Sequence, residues 1–224
     1  WMMQRHPNIS HAIINDINHK LITTYRTIKE RPMELICTLK ELEKAYLPLD
    51  HEKRTEQFLY NRKLFNEEVL DNIQLSALFI FLNRTCFNGL YRENSKGKFN
   101  VPHGKYINPT ICDTDTIMAD SRVLQKVEIL CGDFAATETY ASPNTLYYFD
   151  PPYKPLSETS SFNSYVKESF DDTEQIRLKD FCNIISSQGS FFILSNSDVR
   201  GKNPNDYFFD ELYNGYHIKR VLAT

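Results

Sequence analysis

Four short apolar runs recur along the chain, and each is followed within a few positions by a polar residue. The runs cover residues 11–14, 126–130, 145–149 and 190–194. Apolar runs of four or five residues fit buried β-strands better than helices, which need more length. The polar residues that follow them are Asp16, Asp133, Asp150 and Asn196.

Helical periodicity fills the spaces between these predicted strands. Apolar residues from Ile17 to Ile28 recur at helical spacing and stop before Pro32. A second helix is predicted over 171–188, with an apolar side formed by Ile176, Phe181, Ile184 and Ile185. Strands that alternate with helices predict an α/β domain with a mostly parallel sheet. Ligands bind at the carboxyl ends of such strands, so we expect the four polar residues to face one crevice.

Residues 42–108 interrupt this alternation. Their first half predicts helices over 52–65 and 67–81, and their second half contains the turn signals Asn88-Gly89 and Lys96-Gly97. We interpret the stretch as a mainly helical insertion that ends in a basic hairpin. The predicted organisation is therefore a first part of the catalytic domain over 1–41, the insertion over 42–108, and a second part of the catalytic domain over 109–224.

The charge is unevenly distributed along the chain. The formal net charge is −3, which predicts no general affinity for nucleic acid. Residues 83–106, here called the basic segment, nevertheless contain five lysines or arginines against the single acid Glu93. Three aromatic residues, Phe87, Tyr91 and Phe99, lie among them. Cations suit phosphates and flat rings suit bases, so the basic segment favours a nucleic-acid partner.

Composition excludes several other classes of protein. A hydrophobic fraction of 41% and a charged fraction of 25% are typical of a globular protein. The longest apolar run, residues 77–82, is too short to cross a bilayer. Five widely separated cysteines form neither a disulfide pattern nor a zinc motif, which predicts a cytoplasmic protein with reduced thiols and no metal.

The stretch Asp150-Pro151-Pro152-Tyr153, directly after a predicted strand, is the strongest chemical signal. It can be a simple turn, but it also suits methylation of an exocyclic amine, which is a poor nucleophile. A carboxylate and a neighbouring carbonyl can accept hydrogen bonds from that amine as it becomes tetrahedral. Proline stiffens the carbonyl, and tyrosine can stack on a base that has left the duplex. Methylation at carbon-5 of cytosine uses a Pro-Cys pair, which does not occur here.

Several further stretches accompany this tetrapeptide in a fixed order. They read INDIN at 14–18, NRTCFNGLYR at 83–92, GKFNVPHGKY at 97–106, FDPPYKPLSET at 149–159 and LSNS at 194–197. Together with the tetrapeptide they resemble the Dam-type DNA adenine methyltransferases over nearly the whole chain. The resemblance implies a Rossmann-like, S-adenosylmethionine-dependent catalytic sheet and an inserted target-recognition domain. It also implies a monomeric bacterial or phage enzyme that acts on double-stranded DNA and not at a membrane.

The resemblance assigns a role to individual residues. Catalysis falls to Asp150, Pro151, Pro152 and Tyr153, and cofactor binding to Asp16, Asp133, Phe134 and Asp150. Phe87 and Asn88 correspond to residues around the displaced base, while Leu90, Arg92 and Pro102 correspond to residues that read base edges. Arg84, Asn100 and Lys105 complete the expected DNA contacts. Residues 157–165 are expected to form a loop that covers the flipped base.

The family's usual target predicts GATC as the recognition sequence. The resemblance also implies a Gly-rich loop that holds the methionine part of the cofactor, and this loop is expected before Trp1. Methylation of the cytosine amino group remains an alternative, since its motif can look the same. Methylation of RNA or of a glutamine side chain, and a catalytically defective DNA-binding homologue, are further alternatives.

Overall fold

A computed structural model describes residues 5–6, 8–154, 170–201 and 203–221. The loop predicted over 157–165 therefore lies outside the described residues. The chain divides into two compact units, one up to Phe134 and the other from Ala135 onward. Each unit contains a pair of parallel strands together with helices, so the fold is mixed α/β with small parallel sheets. Within the described ranges, no helix is long and apolar enough to span a membrane.

The first unit is predominantly helical. Its elements are β1 (Ala12–Asp16), α1 (His19–Glu30), α2 (Pro32–Tyr46), α3 (His51–Glu67), α4 (Asn72–Thr85), a 3-10 turn (Phe87–Gly89), α5 (Thr114–Leu124) and β2 (Val127–Cys131). Strands β1 and β2 pair in parallel, with Asp16 opposite Cys131. The predicted parallel arrangement of these two strands is confirmed.

The second unit also contains one parallel pair of strands. Its elements are a 3-10 helix that begins at the unit boundary (Phe134–Tyr140), β3 (Leu146–Phe149), α6 (Asp172–Ser187), β4 (Phe191–Leu194), a 3-10 turn (Val199–Gly201) and α7 (Phe208–Leu212). Phe149 lies opposite Leu194 in the β3–β4 pair. Both strands end where the sequence predicts, directly before Asp150 and Ser195.

The predicted burial of β3 and β4 holds for only one face of each strand. Tyr147 is buried, but its neighbour Tyr148 is 64% exposed. In β4, Phe191 is 68% exposed, whereas Phe192 packs against Tyr216. Successive side chains of a strand point to opposite faces, and only one face of this pair is covered. An apolar run alone does not distinguish one buried face from two.

Two helices begin later in the chain than predicted, because in each case a capping residue determines where the helix starts. Ile17 is 68% exposed and lies outside α1, because the Asn18 side chain accepts hydrogen bonds from Lys20 and Leu21 and starts the helix there. Helix α4 begins at Asn72 and not at residue 67, because Asp71 and Gln74 form a capping box.

Helix α6 has the predicted ends but not the predicted apolar face. Ile176 and Ile184 are exposed, while Gln175, Leu178 and Cys182 are buried beside the correctly predicted Phe181 and Ile185. The exposed pair is a correction to the sequence interpretation. A buried glutamine leaves no trace in an apolar periodicity, so the pattern assigned the face incorrectly.

Helices α2, α3 and α4 share one hydrophobic core. It contains Leu35, Leu39, Phe58, Phe81 and Leu82, with Tyr46 packed edge-on against Phe81. The basic segment contributes to the same core through Phe99 and Val101, which are both buried. Part of the basic segment is therefore fixed on the helices while its charged residues remain outside.

Candidate active site and DNA interface

Asp16 is the last residue of β1, and one of its carboxylate oxygens already accepts a hydrogen bond. Its Oδ1 accepts the backbone N–H of Asn18 at 2.7 Å, while its own backbone carbonyl accepts from Gly132 at 3.1 Å. Asn18 in turn caps α1, so the orientation of the Asp16 side chain depends on the start of that helix. Within the described ranges, Oδ2 of Asp16 has no partner and remains available to a donor.

Asn15 links this strand to the turn after β2. Its Nδ2 donates to the backbone carbonyls of Gly132 at 3.0 Å and Asp133 at 3.3 Å. Its Oδ1 is buried and has no hydrogen-bond partner in the described part of the chain. Buried acceptors are rarely left unpaired in proteins. The edge formed by Asn15, Asp16 and Asp133 therefore presents acceptors to a ligand with donor groups.

Asp133 and Phe134 follow β2 at this same edge. Asp133 is exposed and Phe134 is half-buried, so a carboxylate and a ring are adjacent at the end of the strand. The structure thus brings together Asp16 and Asp133, as the sequence predicts. Asn15 was not among the predicted site residues, although it occupies the position before Asp16 in the INDIN stretch.

Asp150 occupies the corresponding position after β3. Its Oδ1 accepts a hydrogen bond from the Ser195 hydroxyl at 2.8 Å, and the Ser195 N–H donates to the Phe149 carbonyl at 3.0 Å. The carboxylate is exposed, and Tyr153, three residues later, is 52% exposed. Both side chains are accessible to a substrate.

The backbone around the tetrapeptide is held by polar side chains. Gln175, which is fully buried in α6, donates from Nε2 to the Pro152 carbonyl at 3.2 Å. The same amide accepts from Asn196 Nδ2 at 3.1 Å through Oε1, and Asn196 Oδ1 accepts the Lys154 N–H at 3.0 Å. This network fixes the chain on both sides of Tyr153.

Three residues of this network, Gln175, Ser195 and Ser197, were missed by the sequence interpretation. Ser195 and Ser197 flank Asn196 in the LSNS stretch, and Ser197 Oγ donates to the Lys154 carbonyl at 2.7 Å. The position of both serines at the end of a predicted strand was an available signal. Gln175 gave no signal, because nothing in the sequence marks a helical glutamine as buried.

The basic segment contains two turns, and the second of them reverses the chain direction. The first turn places Asn88 and Gly89 at positive φ, a conformation that asparagine and glycine tolerate better than other residues. The second turn is closed by hydrogen bonds between Asn94 and Lys98 and between Gly97 and Asn94. Antiparallel bridges join Cys86 to His103 and Glu93 to Phe99.

Most of the predicted DNA-contact residues are exposed on this segment. Phe87 and Leu90 are each about half exposed, so both side chains are accessible to a partner. The exposed residues also include Arg84, Asn88, Arg92, Pro102 and Lys105, and Asn100 is half-buried. Arg92 Nε donates to Asn100 Oδ1 at 2.8 Å, so these two residues are paired before any ligand arrives.

A polar cluster connects the basic segment to the first turn of α1. Lys20 Nζ pairs with Glu93 Oε1 at 3.0 Å, and the Tyr91 hydroxyl donates to the same oxygen at 2.5 Å. Burial raises the pKa of Tyr91, and the hydrogen bond to Glu93 raises it further. The phenol therefore stays protonated and acts as a donor. This cluster lies at the N-terminal end of α1, whose capping residue Asn18 follows Asp16 by two positions.

The cysteines and acids do not form a metal site in the part of the chain that the structure describes. All five cysteines lie in that part and are free thiols, as the sequence predicts. Burial raises the pKa of Cys182 to about 12, which keeps that thiol protonated and unreactive. None of the thiols is needed for the arrangement around Asp150.

Comparison with known proteins identifies the family. The model of the D12 class N6 adenine-specific DNA methyltransferases matches residues 2–224. The Type II methyltransferase M.MjaIII of Methanocaldococcus jannaschii is 44% identical over 225 residues, which cover 100% of this chain and 75% of that protein. The Type II methyltransferase M1.LlaDCHI of Lactococcus lactis subsp. cremoris is 38% identical, over 95% of this chain and 72% of its own. The DNA adenine methylase of Haemophilus influenzae is 32% identical, over 96% of this chain and 71% of its own. The chain therefore belongs to the D12 class of N6 adenine-specific DNA methyltransferases.

Proposed function

We propose that this methyltransferase acts on an adenine flipped out of duplex DNA, within the sequence GATC, and that Asp150 accepts hydrogen bonds from the reacting amino group. Family membership already selects adenine over cytosine as the methylated base. The observation that supports the role of Asp150 is its exposed carboxylate at the end of β3, directly before two prolines.

Methylation of the adenine amino group requires a site that holds a weak nucleophile. The lone pair of the adenine amine is delocalised into the ring and becomes available only as the nitrogen turns tetrahedral. Asp150 and a neighbouring backbone carbonyl of the tetrapeptide accept its hydrogens, and these bonds strengthen as positive charge develops on nitrogen. The Pro152 carbonyl is occupied by Gln175, which leaves the carbonyls before it for the substrate.

Pro151, Pro152 and Tyr153 complete the proposed adenine site. The two prolines restrict φ and contribute no competing N–H near the carboxylate. Tyr153 exposes its ring beside them and can stack on the flipped base. The network of Gln175 and Asn196 keeps this short stretch fixed, so the acceptors are placed before the substrate binds.

The family implies S-adenosylmethionine as the methyl donor, which supplies an electrophilic methyl group when bound. The edge of β1 and β2 fits such a ligand, because the buried and unpaired Asn15 Oδ1 and the second oxygen of Asp16 can accept from hydroxyl or amino groups. We assign Asp16 to the ribose hydroxyls and Asp133 with Phe134 to the adenine of the cofactor. Asp150 is assigned to the border between cofactor and substrate.

The basic segment is the proposed DNA interface. An arginine can read the two major-groove acceptors of guanine, so Arg92 is assigned to the first base of GATC. Leu90 and Pro102 are assigned to apolar contacts with base edges, and Phe87 and Asn88 to the space around the displaced base. The remaining assigned DNA contacts are Arg84, Asn100 and Lys105.

We also propose how the chain is divided into domains. Residues 42–108 form the target-recognition domain, which is inserted into a Rossmann-like catalytic domain formed by 1–41 and 109–224. The packing of α3 and α4 with Phe99 and Val101 supports treating these two helices and the basic segment as one recognition body, whereas α2 crosses the proposed boundary between residues 41 and 42.

The recognition sequence is tested with short duplexes in which each base of GATC is replaced in turn. We expect transfer to fall by about tenfold to a hundredfold at each replaced base that a side chain reads. Arg92→Gln should lose discrimination at the first guanine alone. Lys96→Gln, at the exposed turn of the basic segment, is the matched control and should weaken transfer to all duplexes alike. Wild-type methylation that is indifferent to the first guanine contradicts the assignment of Arg92.

A further inference from the structure

His103 lies within the basic segment, and both nitrogens of its half-buried ring have partners on the helices. Nε2 is 2.6 Å from the hydroxyl of Tyr46, at the end of α2, and Nδ1 is 3.0 Å from Oγ1 of Thr55 in α3. The ring also packs 5.2 Å from that of Phe58. The side chain therefore joins the basic segment to two helices at once.

The hydrogen-bond directions follow from Thr55. Its hydroxyl donates to the His51 carbonyl at 2.9 Å, so its oxygen is left to accept from Nδ1–H of His103. Nε2 then carries no proton and accepts from the Tyr46 hydroxyl. One neutral tautomer satisfies every donor and acceptor in this chain of bonds.

The surroundings favour that neutral form. Burial lowers the pKa of His103, and His51, Arg54 and Lys105 lower it further because they place positive charge nearby. Tyr46 also faces the ring, and burial raises its pKa, so it remains a protonated donor. The guanidinium of Arg54 holds the adjoining chain as well, through the carbonyls of Tyr106 and Ile107 at 3.2 and 2.6 Å.

The backbone of the same residue holds the first turn of the basic segment. His103 forms an antiparallel bridge with Cys86, flanked by hydrogen bonds from Phe87 to the Pro102 carbonyl at 2.9 Å and from Gly104 to the Thr85 carbonyl at 2.8 Å. A Cβ on Gly104 would lie 2.4 Å from the Cys86 carbonyl oxygen, so only glycine allows these two segments of the chain to approach this closely. Phe87 and Pro102 therefore move only together with His103.

We propose that His103 is a positioning residue for DNA recognition: its ring, held between Tyr46 and Thr55, fixes Pro102 and the turn at Phe87 on the helical core. The inference rests on the proposed DNA contacts of those two residues. It assigns to His103 no contact with DNA and no part in methyl transfer. The expected consequence is an effect on the KM for DNA and on base discrimination, with kcat little changed.

The test compares two substitutions that keep the size of the side chain. His103→Phe keeps a ring for packing but loses both hydrogen bonds, whereas His103→Gln can still accept from Tyr46 in place of Nε2. We expect His103→Phe to raise the KM for a GATC duplex by about tenfold, as the loss of two partly buried hydrogen bonds implies, and His103→Gln to recover about half of that effect on a logarithmic scale. His217→Gln, an exposed histidine in the second unit, is the control.

Discrimination between GATC and the base-replaced duplexes separates the possible outcomes. Loss of discrimination in His103→Phe, with recovery in His103→Gln, supports the proposal. An unchanged KM and unchanged discrimination in His103→Phe overturn it, as does an equal loss in both variants. Wild-type protein that does not discriminate at all would refute the proposed DNA contacts instead. If His103→Phe fails to fold, Thr55→Val removes the Nδ1 partner, together with a hydrogen bond to the His51 carbonyl within α3, and must shift the KM in the same direction.

Discussion

Asp16 and Asp150 are carboxylates at the ends of parallel strands, but their hydrogen bonds differ in kind. Asp16 accepts the backbone N–H of Asn18 at the start of α1, so the position of the Asp16 carboxylate is fixed by the backbone. Asp150 accepts the hydroxyl of Ser195, which can rotate to another acceptor without a change of backbone. Asp150 can therefore exchange this partner for a substrate amine, whereas Asp16 offers only its second oxygen.

Replacing Asp150 by Ala should abolish methyl transfer, with a loss of at least a hundredfold, because the carboxylate acceptor disappears from the reacting nitrogen. Binding of duplex DNA should change little, since the basic segment is untouched. Asp180→Ala, at an exposed position on α6, is the control and should transfer methyl groups normally. Activity that survives Asp150→Ala contradicts the mechanism proposed for this residue.

The lowered pKa of His103 predicts a dependence of stability on pH. The folded protein keeps this ring neutral, while the unfolded chain takes up a proton near pH 6.5. Its contribution is fully present above pH 6.5 and is lost as the pH falls through the folded-state pKa. Chemical denaturation across pH 5 to 8 should show a shallower acid loss in His103→Gln than in the wild type. Identical slopes would contradict a neutral, half-buried His103 in the folded protein.

At the scale of elements, caps and buried polar groups decide what the apolar pattern leaves open. The sequence predicts the four strands and their carboxyl-end residues well, because short apolar runs that stop at a polar residue are distinctive. It places the start of α4 five residues early, because Val69 and Leu70 extend the apolar pattern towards the N-terminus, whereas the Asp71 capping box starts the helix at Asn72. The polar network behind Tyr153 could not be predicted, since Gln175 becomes buried only when α6 packs.

Substitution of Asp71 by Ala tests the capping box of α4. The Asp71 carboxylate accepts the Gln74 N–H at 2.9 Å, and Gln74 accepts the Asp71 N–H in return. Losing this cap should lower the free energy of unfolding by about 0.5–2 kcal/mol. Asp120→Ala, at an exposed position in α5, should change it far less in the same urea titration. Equal effects of the two substitutions would contradict a specific role for the cap.

At the scale of the whole molecule, a net charge of −3 does not prevent a local cationic surface. The positive residues of the basic segment are concentrated on a stretch whose aromatic side chains pack on α3 and α4. Because screening acts over about 10 Å at ordinary ionic strength, the charge that DNA meets at a surface is set by the residues near that surface and not by the net charge. The proposed recognition surface and the proposed cofactor edge therefore depend on local chemistry and not on overall composition.

Cofactor binding can be followed through the two exposed thiols. Cys131 lies opposite Asp16 at the edge assigned to S-adenosylmethionine, whereas Cys37 is on α2. Added S-adenosylhomocysteine should slow maleimide labelling of Cys131 severalfold and leave Cys37 unchanged. Cys86 and Cys182 are buried and should react only on unfolding. Equal labelling of Cys131 with and without the ligand would contradict the assignment of this edge.

The most direct measurement is the transfer of labelled methyl groups from S-adenosylmethionine to a GATC duplex, followed by identification of the product nucleoside. We predict that all label is recovered as N6-methyladenine, that replacing the GATC adenine removes it, and that Asp150→Ala produces none. Label recovered in methylcytosine would contradict methylation of adenine, and label in adenines irrespective of their neighbours would contradict the GATC target.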